Sequence, residues 1–582
     1  MGLAWLAALA PAFACSHKIR PVQVTTAEAS QFTRTGNYDE ARAICAQIVD
    51  NFPSQARCFN FGTTTQGRPM IALAVSADGT LTAAAAAAKQ RPVIMIQAGI
   101  HAGEIEGKDA GFAFLLAMLR KQLPADALRA ATWVFIPVLN PDGHERISLN
   151  NRPNQRGPIE MGFRTTGVNL NLNRDYMKAD SVELRAELAL IAAWHPTMLV
   201  DLHTTDGAKF QHDVAVLVAP SVPRPDGLTA TAKTISDKLQ TRLAALRHMP
   251  VPFYPSFREQ DHPESGIEAG DPPARFSHGY AAERGMFGIL VETHSWRTYP
   301  ERVKATYDTL QALSEQVATD VGTWRTAQAR AEAAQAALAG QSINLLYNVT
   351  ETSRPIVFQG YQITREPSAI SNAPWTHYDE QKPEVWTLPL FDQFKPAVTV
   401  TAPAKGYIVD GGYAALVEPV LRAHGITYHP TSPTTPVAVQ TFRADTATFG
   451  DKSYEARQRL TVTGAWRPEN RTLMPGAIWI PFAQPLARLI VGLCEPSAPD
   501  ALVNWGVFNA AYEQKEYMED YVAEQVARDM LAANPQLQTD FDAKLAADPA
   551  FAKSPEARLD FFRRKHPSWD ERINLLPIYR VE

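Results

Sequence analysis

Four apolar runs of strand length, each ending on polar or chemically capable residues, constrain this chain more than any other feature. They are Val93-Ile94-Met95-Ile96, then residues 133–139, 198–202 and 287–291. Segments with helical patterning lie between and after them, at 107–120, 181–194, 228–246 and 302–334, with Ser181 placed as a helix cap. Shorter apolar runs at 71–75 and 214–218 add further strand candidates. This alternation from about residue 38 to 330 predicts an α/β sheet with helices on its faces. In such sheets ligands bind at the carboxyl ends of strands, so the residues just after each run are the ones to inspect.

Three of those strand ends carry metal-site chemistry. His101-Ala102-Gly103-Glu104 follows the first run, Asp201-Leu202-His203 ends the third, and Glu292-Thr293-His294 ends the fourth. His101 and Glu104 are three apart, so a tight loop or first helical turn can aim both at one ion. His203 as a third ligand leaves the fourth tetrahedral position open. Such an ion acidifies water and polarises a carbonyl. Glu292 would serve as general base, and a nearby arginine could hold a developing oxyanion. Each piece alone has an ordinary reading. An H-x-x-E is commonly a surface helix pair, a strand-end histidine is commonly a hydrogen-bonded structural residue, and a glutamate after Gly288-Ile289-Leu290-Val291 can be a paired buried acid. Their joint occurrence at strand ends is what favours a site.

The region from about Tyr38 to Arg330 resembles the zinc carboxypeptidases of the carboxypeptidase A and B type. The matching pieces are the His101–Glu104 loop, the turn Asn140-Pro141-Asp142-Gly143, the run Gly167-Val168-Asn169-Leu170-Asn171-Leu172-Asn173-Arg174, the Leu202-His203 strand end and Leu290-Val291-Glu292. The upstream segment 61–68 also resembles the entry to such domains. The resemblance implies one zinc ion on His101, Glu104 and His203, with Glu292 as base. It implies Asn173 and Arg174 as the grip on a substrate's terminal carboxylate, which a planar guanidinium binds bidentately. The ordinary reading of Arg174 is a salt bridge to Asp175 or Asp180. Family spacing points to Arg156 for the oxyanion, with Arg152 and Arg164 as rivals. The tyrosine that caps the substrate in that family has no clean counterpart here: Tyr280 is the best candidate, with Tyr254 behind it, and the ordinary reading of Tyr280 is a core residue. Two departures stand out: Gly103 occupies a position that often carries arginine, and Asn171 one that often carries the aspartate orienting a ligand histidine. Asp201, on the same strand face as His203, could substitute. Among the nearby histidines, His294 is the best placed to touch the pocket.

The expected fold is a mixed β-sheet flanked by helices over residues 30–336, followed by additional material of unassigned role. Residues 340–405 are rich in Thr, Val, Tyr and Pro and predict short strands and turns. Residues 406–582 predict mixed α/β structure ending in amphipathic helices. The expected activity is zinc-dependent release of C-terminal residues from peptides with a free carboxylate. Alternatives are a deacylase of aspartoacylase type, a cell-wall peptide amidase, or a non-catalytic binding module on the same fold. Acidic Asp261, Glu264 and Glu268 precede Glu292 and could favour a basic terminal side chain. A formal charge of -5 over 582 residues, with no long Lys/Arg run, gives no footprint for nucleic acid.

The apolar run Leu3 to Leu9, followed by Pro11-Ala12-Phe13-Ala14-Cys15, resembles a secretory signal ending near residue 14 and predicts export to the periplasm or medium. Cleavage there would expose Cys15 and raises a lipoprotein reading, although Ala12 stands where such sites usually carry leucine. No Lys or Arg precedes the run, which leaves a cytoplasmic chain as the competing reading. Four cysteines form no disulfide framework. Cys45 and Cys58 could bridge, but two buried thiols are the favoured expectation.

Overall fold

The computed structural model describes residues 25–124, 126–432 and 435–582. The signal-like segment 1–14 and Cys15 lie outside them. The first half forms an eight-stranded sheet from β1 (Ala56–Thr63), β2 (Pro69–Val75), β3 (Val93–Ala98), β4 (Thr132–Ile136), β5 (Met198–Thr204), β6 (Val214–Ala219), β7 (Pro250–Val251) and β9 (Phe287–Thr293). Their order is β1-β2-β4-β3-β5-β9-β6-β7. The central pairs β4–β3, β3–β5 and β5–β9 are parallel, whereas β1–β2, β2–β4 and β9–β6 are antiparallel, so the sheet is mixed. Strands β3, β4, β5 and β9 are buried along their whole length. That explains why they appear as continuous apolar runs rather than alternating ones.

Helices Glu106–Leu119, Val182–Trp194, Leu228–Ala245 and Tyr299–Ala336 follow these strands. The Ser181 side chain accepts from the Leu184 N–H, and Thr298 with Glu301 makes a capping box at the start of the longest helix. The alanine run Ala83–Ala88 is a short helix capped by Thr82. Cys45 and Cys58 are disulfide-bonded, joining the helix Tyr38–Asn51 to β1. This corrects the expectation of free thiols: the helix packs back on the strand next to it in sequence and brings the two Cα atoms to 5.8 Å, well within bridging range.

Beyond residue 340 the strands are longer than the sequence texture suggests. Strand β8 (Ile267–Glu268) leaves the main sheet to pair with a hairpin of β11 (Arg354–Pro367) and β12 (Pro374–Phe391). Strands β10 (Ser342–Val349) and β13 (Phe394–Thr401) form a separate ribbon. A six-stranded sheet follows, made of β14 (Gly406–Val409), β15 (His429–Pro430), β16 (Val437–Tyr454), β17 (Arg457–Arg471), β18 (Ile478–Pro481) and β19 (Ile578–Val581). Its order, β15-β18-β14-β19-β16-β17, puts β19 in the interior.

The two halves share a core. One apolar cluster runs from Met70, Leu184 and Ile191 through Tyr280 to Val409, Leu421, Ile480 and Leu489. Polar contacts cross the same seam: the Arg284 guanidinium donates to the His424 carbonyl at 2.7 Å, and Arg488 pairs with Glu283 at 3.0 Å. Among the described residues, no helix is long and apolar enough to cross a membrane.

Candidate active site

Strand register brings the strand-end residues together. On parallel β5 and β9, His203 pairs with Glu292, so both side chains leave the same face of the sheet. On β3 and β5, Ala98 pairs with Leu202, which places the loop after β3 beside His203. That loop turns at once at Gly99, whose φ of 63° lies in the left-handed region. It then folds back so that the Glu104 N–H donates to the His101 carbonyl at 2.8 Å.

His101, Glu104 and His203 offer ligand atoms that all lie within 4.8 Å of one another, and all three are buried. His101 Nδ1 is buried without a hydrogen-bond partner. His203 Nδ1 faces Glu104 Oε2 at 3.1 Å, while its Nε2 meets Asp201 Oδ2 at 2.7 Å. Asp201 in turn accepts from Ser277 Oγ at 2.5 Å. Each imidazole thus has one nitrogen available to a shared centre, and that of His203 is oriented by a carboxylate behind it. Two imidazoles and one carboxylate are a donor set suited to zinc. Burial pushes the His101 pKa well down against the pull of Glu104, and Arg164 adds to this. Burial opposes charge on Glu104, but Arg152 and the two histidines more than offset it and hold the group ionised. For His203 burial is likewise overcome, chiefly by Asp201, and its pKa is raised.

These residues open onto a cavity of about 420 Å³ that also takes in Glu292, Arg164, Asn173, Arg174, Asp206, Tyr254, Asp271, Phe276 and His278. A cleft of about 730 Å³ adjoins it through Leu217, Tyr254, Gly270, Pro272 and His278. Burial pushes the Glu292 carboxyl up to about 8, with Glu104 and Asp201 adding like-charge repulsion against the pull of His203. Glu292 Oε2 is buried and has no hydrogen-bond partner. Asn173 and Arg174 sit in the one-turn helix Leu172–Arg174. Asn173 Oδ1 accepts from the Ser277 N–H at 3.1 Å, and the Arg174 guanidinium lies 4.3 Å over the Phe276 ring.

Two residues expected at the site are elsewhere. Arg156 lies outside the cavity lining: its half-exposed guanidinium is ion-paired with Glu380 on β12 and rests 5.7 Å from the Trp296 ring. The arginines on the ligand set are Arg152, at 2.6 Å from Glu104 Oε1, and Arg164, at 3.5 Å. Tyr280 is fully buried in the helix Ser277–Glu283, where its hydroxyl meets His424 Nδ1 at 2.8 Å, so it is a core residue. Tyr254 lines the cavity instead, and its hydroxyl accepts from the Asp206 N–H at 3.3 Å.

The departures at Gly103 and Asn171 have structural counterparts. A Cβ on Gly103 would lie 2.6 Å from the Gly162 carbonyl and 2.7 Å from Arg152 Cγ, so the Arg152 stem fills the space a side chain at 103 would need. Asn171 donates to Glu455 Oε1 at 3.4 Å, a residue from the far half of the chain. His294 stacks on Phe210 at 3.9 Å and is absent from the lining, where His278 appears. Asp261, Glu264 and Glu268 are engaged by Tyr378, Arg365 and Arg258 and do not line this cavity. Sequence reasoning passed over Asp206 and Asp271. Asp206 had a signal, its position three residues after His203, whereas Asp271 had none.

Residues 41–247 match the family model described as zinc carboxypeptidase. This span contains His101, Glu104, Asn173, Arg174 and His203, and Glu292 lies beyond it. A carboxypeptidase B of Helicoverpa zea is 27% identical over 164 residues, which is 25% of this chain and 36% of the relative. The chain thus spans about a third of the length of that curated relative. Among solved structures, a metallo-carboxypeptidase from Burkholderia cenocepacia is 17% identical with a TM-score of 0.36, over 49% of this chain and 70% of that one. A carboxypeptidase A from Helicoverpa armigera is 15% identical with a TM-score of 0.37, over 51% and 78%.

Proposed function

We propose that this chain, whose residues 41–247 match the zinc carboxypeptidase family, is a metallocarboxypeptidase that removes C-terminal residues from peptides. The observation that carries this reading is one cavity lined at once by a His-Glu-His donor set, the buried acid Glu292 and Arg174.

His101, Glu104 and His203 would hold one zinc ion. When bound, that ion supplies a Lewis acid that acidifies water and polarises a carbonyl. The chain's own residues do the rest. Arg174, seated on Phe276, holds the terminal carboxylate of the substrate and so fixes which peptide bond meets the donor set. Glu292 Oε2 takes the proton of the attacking water and delivers it to the leaving amine nitrogen. Its burial beside Leu290 and Tyr254 strengthens its hold on that proton. Arg164, the arginine that both lines the cavity and faces Glu104, is placed to stabilise negative charge on the scissile oxygen. Tyr254 takes the capping role expected of Tyr280. The adjoining larger cleft, which carries Arg224, Lys233 and Glu268, has room for the terminal side chain.

Metal analysis of purified protein and of Glu292→Gln, with peptides bearing free or amidated C-termini, tests this. The expected result is about one zinc per chain in both proteins, with release of free amino acids by wild type only and from unblocked peptides only. The variant should lose about 10²–10⁴ in kcat, the usual contribution of a general base. Zinc without release from any peptide would move the function to another amide hydrolase. No zinc in either protein would overturn the enzyme reading.

A further inference from the structure

Glu106 opens the helix Glu106–Leu119, just after Glu104 of the donor set. An acid at a helix start ordinarily serves the helix's own N–H groups. This one is fully buried and reaches the ends of two strands instead. Its Oε1 accepts from the Thr204 hydroxyl at 2.5 Å and from the Thr293 hydroxyl at 3.1 Å. The two hydroxyls lie 3.4 Å apart. Thr204 follows His203 and closes β5, and Thr293 follows Glu292 and closes β9. The two threonines form the last pair of the β5–β9 register, directly after His203 and Glu292. Backbone pairing goes no further there, so a side-chain contact has to hold the two strand ends in place. Thr204 also touches the donor set, since its N–H donates to Glu104 Oε2 at 3.0 Å. The second oxygen, Glu106 Oε2, faces Nε of the equally buried Arg302 at 3.7 Å. That guanidinium donates to the carbonyls of Arg156, Gly157 and Arg297 at 2.8, 2.6 and 2.6 Å. It thereby fastens the loop after Arg152 and the chain just past Glu292. A buried acid is costly unless it is paired and hydrogen-bonded, and Glu106 is both.

We infer that Glu106 is a positioning residue of the site: through the Thr204 and Thr293 hydroxyls it fixes the strand end that carries His203 against the strand end that carries Glu292. The Glu292 half of this role rests on the proposed carboxypeptidase reading, whereas the His203 half needs only the donor set. The two threonines should therefore act on different functions. Thr204 sits between a ligand histidine and the N–H that holds Glu104, so its hydroxyl governs the metal. Thr293 sits beside the base, so its hydroxyl governs turnover.

The test removes each hydroxyl in the full-length protein without changing side-chain shape. Thr204→Val should weaken zinc binding about tenfold or more, the scale for losing a contact behind a ligand, read by competition with a chromophoric chelator. Thr293→Val should leave zinc affinity within about twofold. It should lower kcat on an unblocked peptide about tenfold or more with KM within about twofold, because a small displacement of a reacting group is felt in turnover. Glu106→Gln replaces a charged acceptor by a weaker neutral one and should show both losses. Thr204→Ser and Thr293→Ser keep the hydroxyls and should return wild-type values. Zinc affinity and kcat at wild-type values in Thr204→Val, Thr293→Val and Glu106→Gln, with only the melting temperature of the metal-free protein lowered, would make Glu106 a structural residue and overturn the inference. So would equal loss of both functions from either threonine. Wild type that binds zinc yet releases nothing from any peptide would overturn the carboxypeptidase reading and the Glu292 half with it, and Thr204→Val would then decide the His203 half alone. Wild type without zinc would overturn both.

Discussion

Asp201 holds His203 from behind, and its own second contact, Ser277, comes from the helix that follows the cavity loop. Removing the charge while keeping the shape should loosen the ligand without unfolding the strand. Asp201→Asn is expected to weaken zinc binding by about 10–100-fold, measured by competition with a chromophoric chelator. Unchanged affinity would mean that Asp201 does not orient the ring. The strand-end positions of His101, Glu104, His203 and Glu292 were legible because buried parallel strands leave unbroken apolar runs, and a polar residue closing such a run has few other reasons to be there. Arg156 and Tyr280 were not legible. The deciding contacts are Glu380, 224 residues beyond Arg156, and His424, 144 beyond Tyr280. Family spacing carries no information about partners supplied by an added half of the chain.

Elements are tied together at points where one atom more, or one proton fewer, should be felt. Gly103 packs against the loop carrying Arg152 and Gly162 with no room for a methyl group. Gly103→Ala should cost about 1–3 kcal/mol, as overpacking does, and should displace Arg152 from Glu104. Denaturant melts and zinc affinity would read the two effects together. His248, just past the helix Leu228–Ala245, bridges Asp213 at 2.6 Å and Asp308 at 2.8 Å, linking that helix to the approach to β6 and to the helix Tyr299–Ala336. Burial opposes its charge, yet the two carboxylates raise its pKa to about 9, and Lys304 competes for Asp308. The folded value exceeds the unfolded value of about 6.5. The stabilisation is therefore complete below about pH 6.5 and is lost as pH rises through 9. His248→Gln should lower stability at pH 6 and cost progressively less by pH 10, which thermal melts across that range would show. An equal deficit at both pH values would refute the charged bridge. At this scale the α/β alternation was readable from periodicity. The long hairpins after residue 340 were not, because their largely exposed strands lack a strict inward–outward alternation.

For the molecule as a whole, the shared apolar cluster makes the C-terminal half part of the same folded body. Cutting after Ala336 would uncover Leu184, Ile191 and Tyr280 and would remove the His424 carbonyl from Arg284 and Arg488 from Glu283. The truncated chain is expected to be insoluble or molten. A well-folded fragment with a sharp melting transition would refute the shared core. Nothing in the sequence of residues 1–336 announces this dependence, since a helix face covered by its own domain and one covered by a later domain have the same apolar stripe. The placement of β19 extends the point to the order in which the protein is made. This strand, near the end of the chain, lies between β14 and β16, where it joins the part of the sheet next to the main core to the hairpin whose tip meets Asn171. During synthesis that hairpin emerges about a hundred residues before the strand that seats it (578 − 471). The contact of Glu455 with Asn171, three residues before Arg174, can therefore be seated only after residue 581 has left the ribosome, so a nascent chain would present its metal ligands before its two halves are joined.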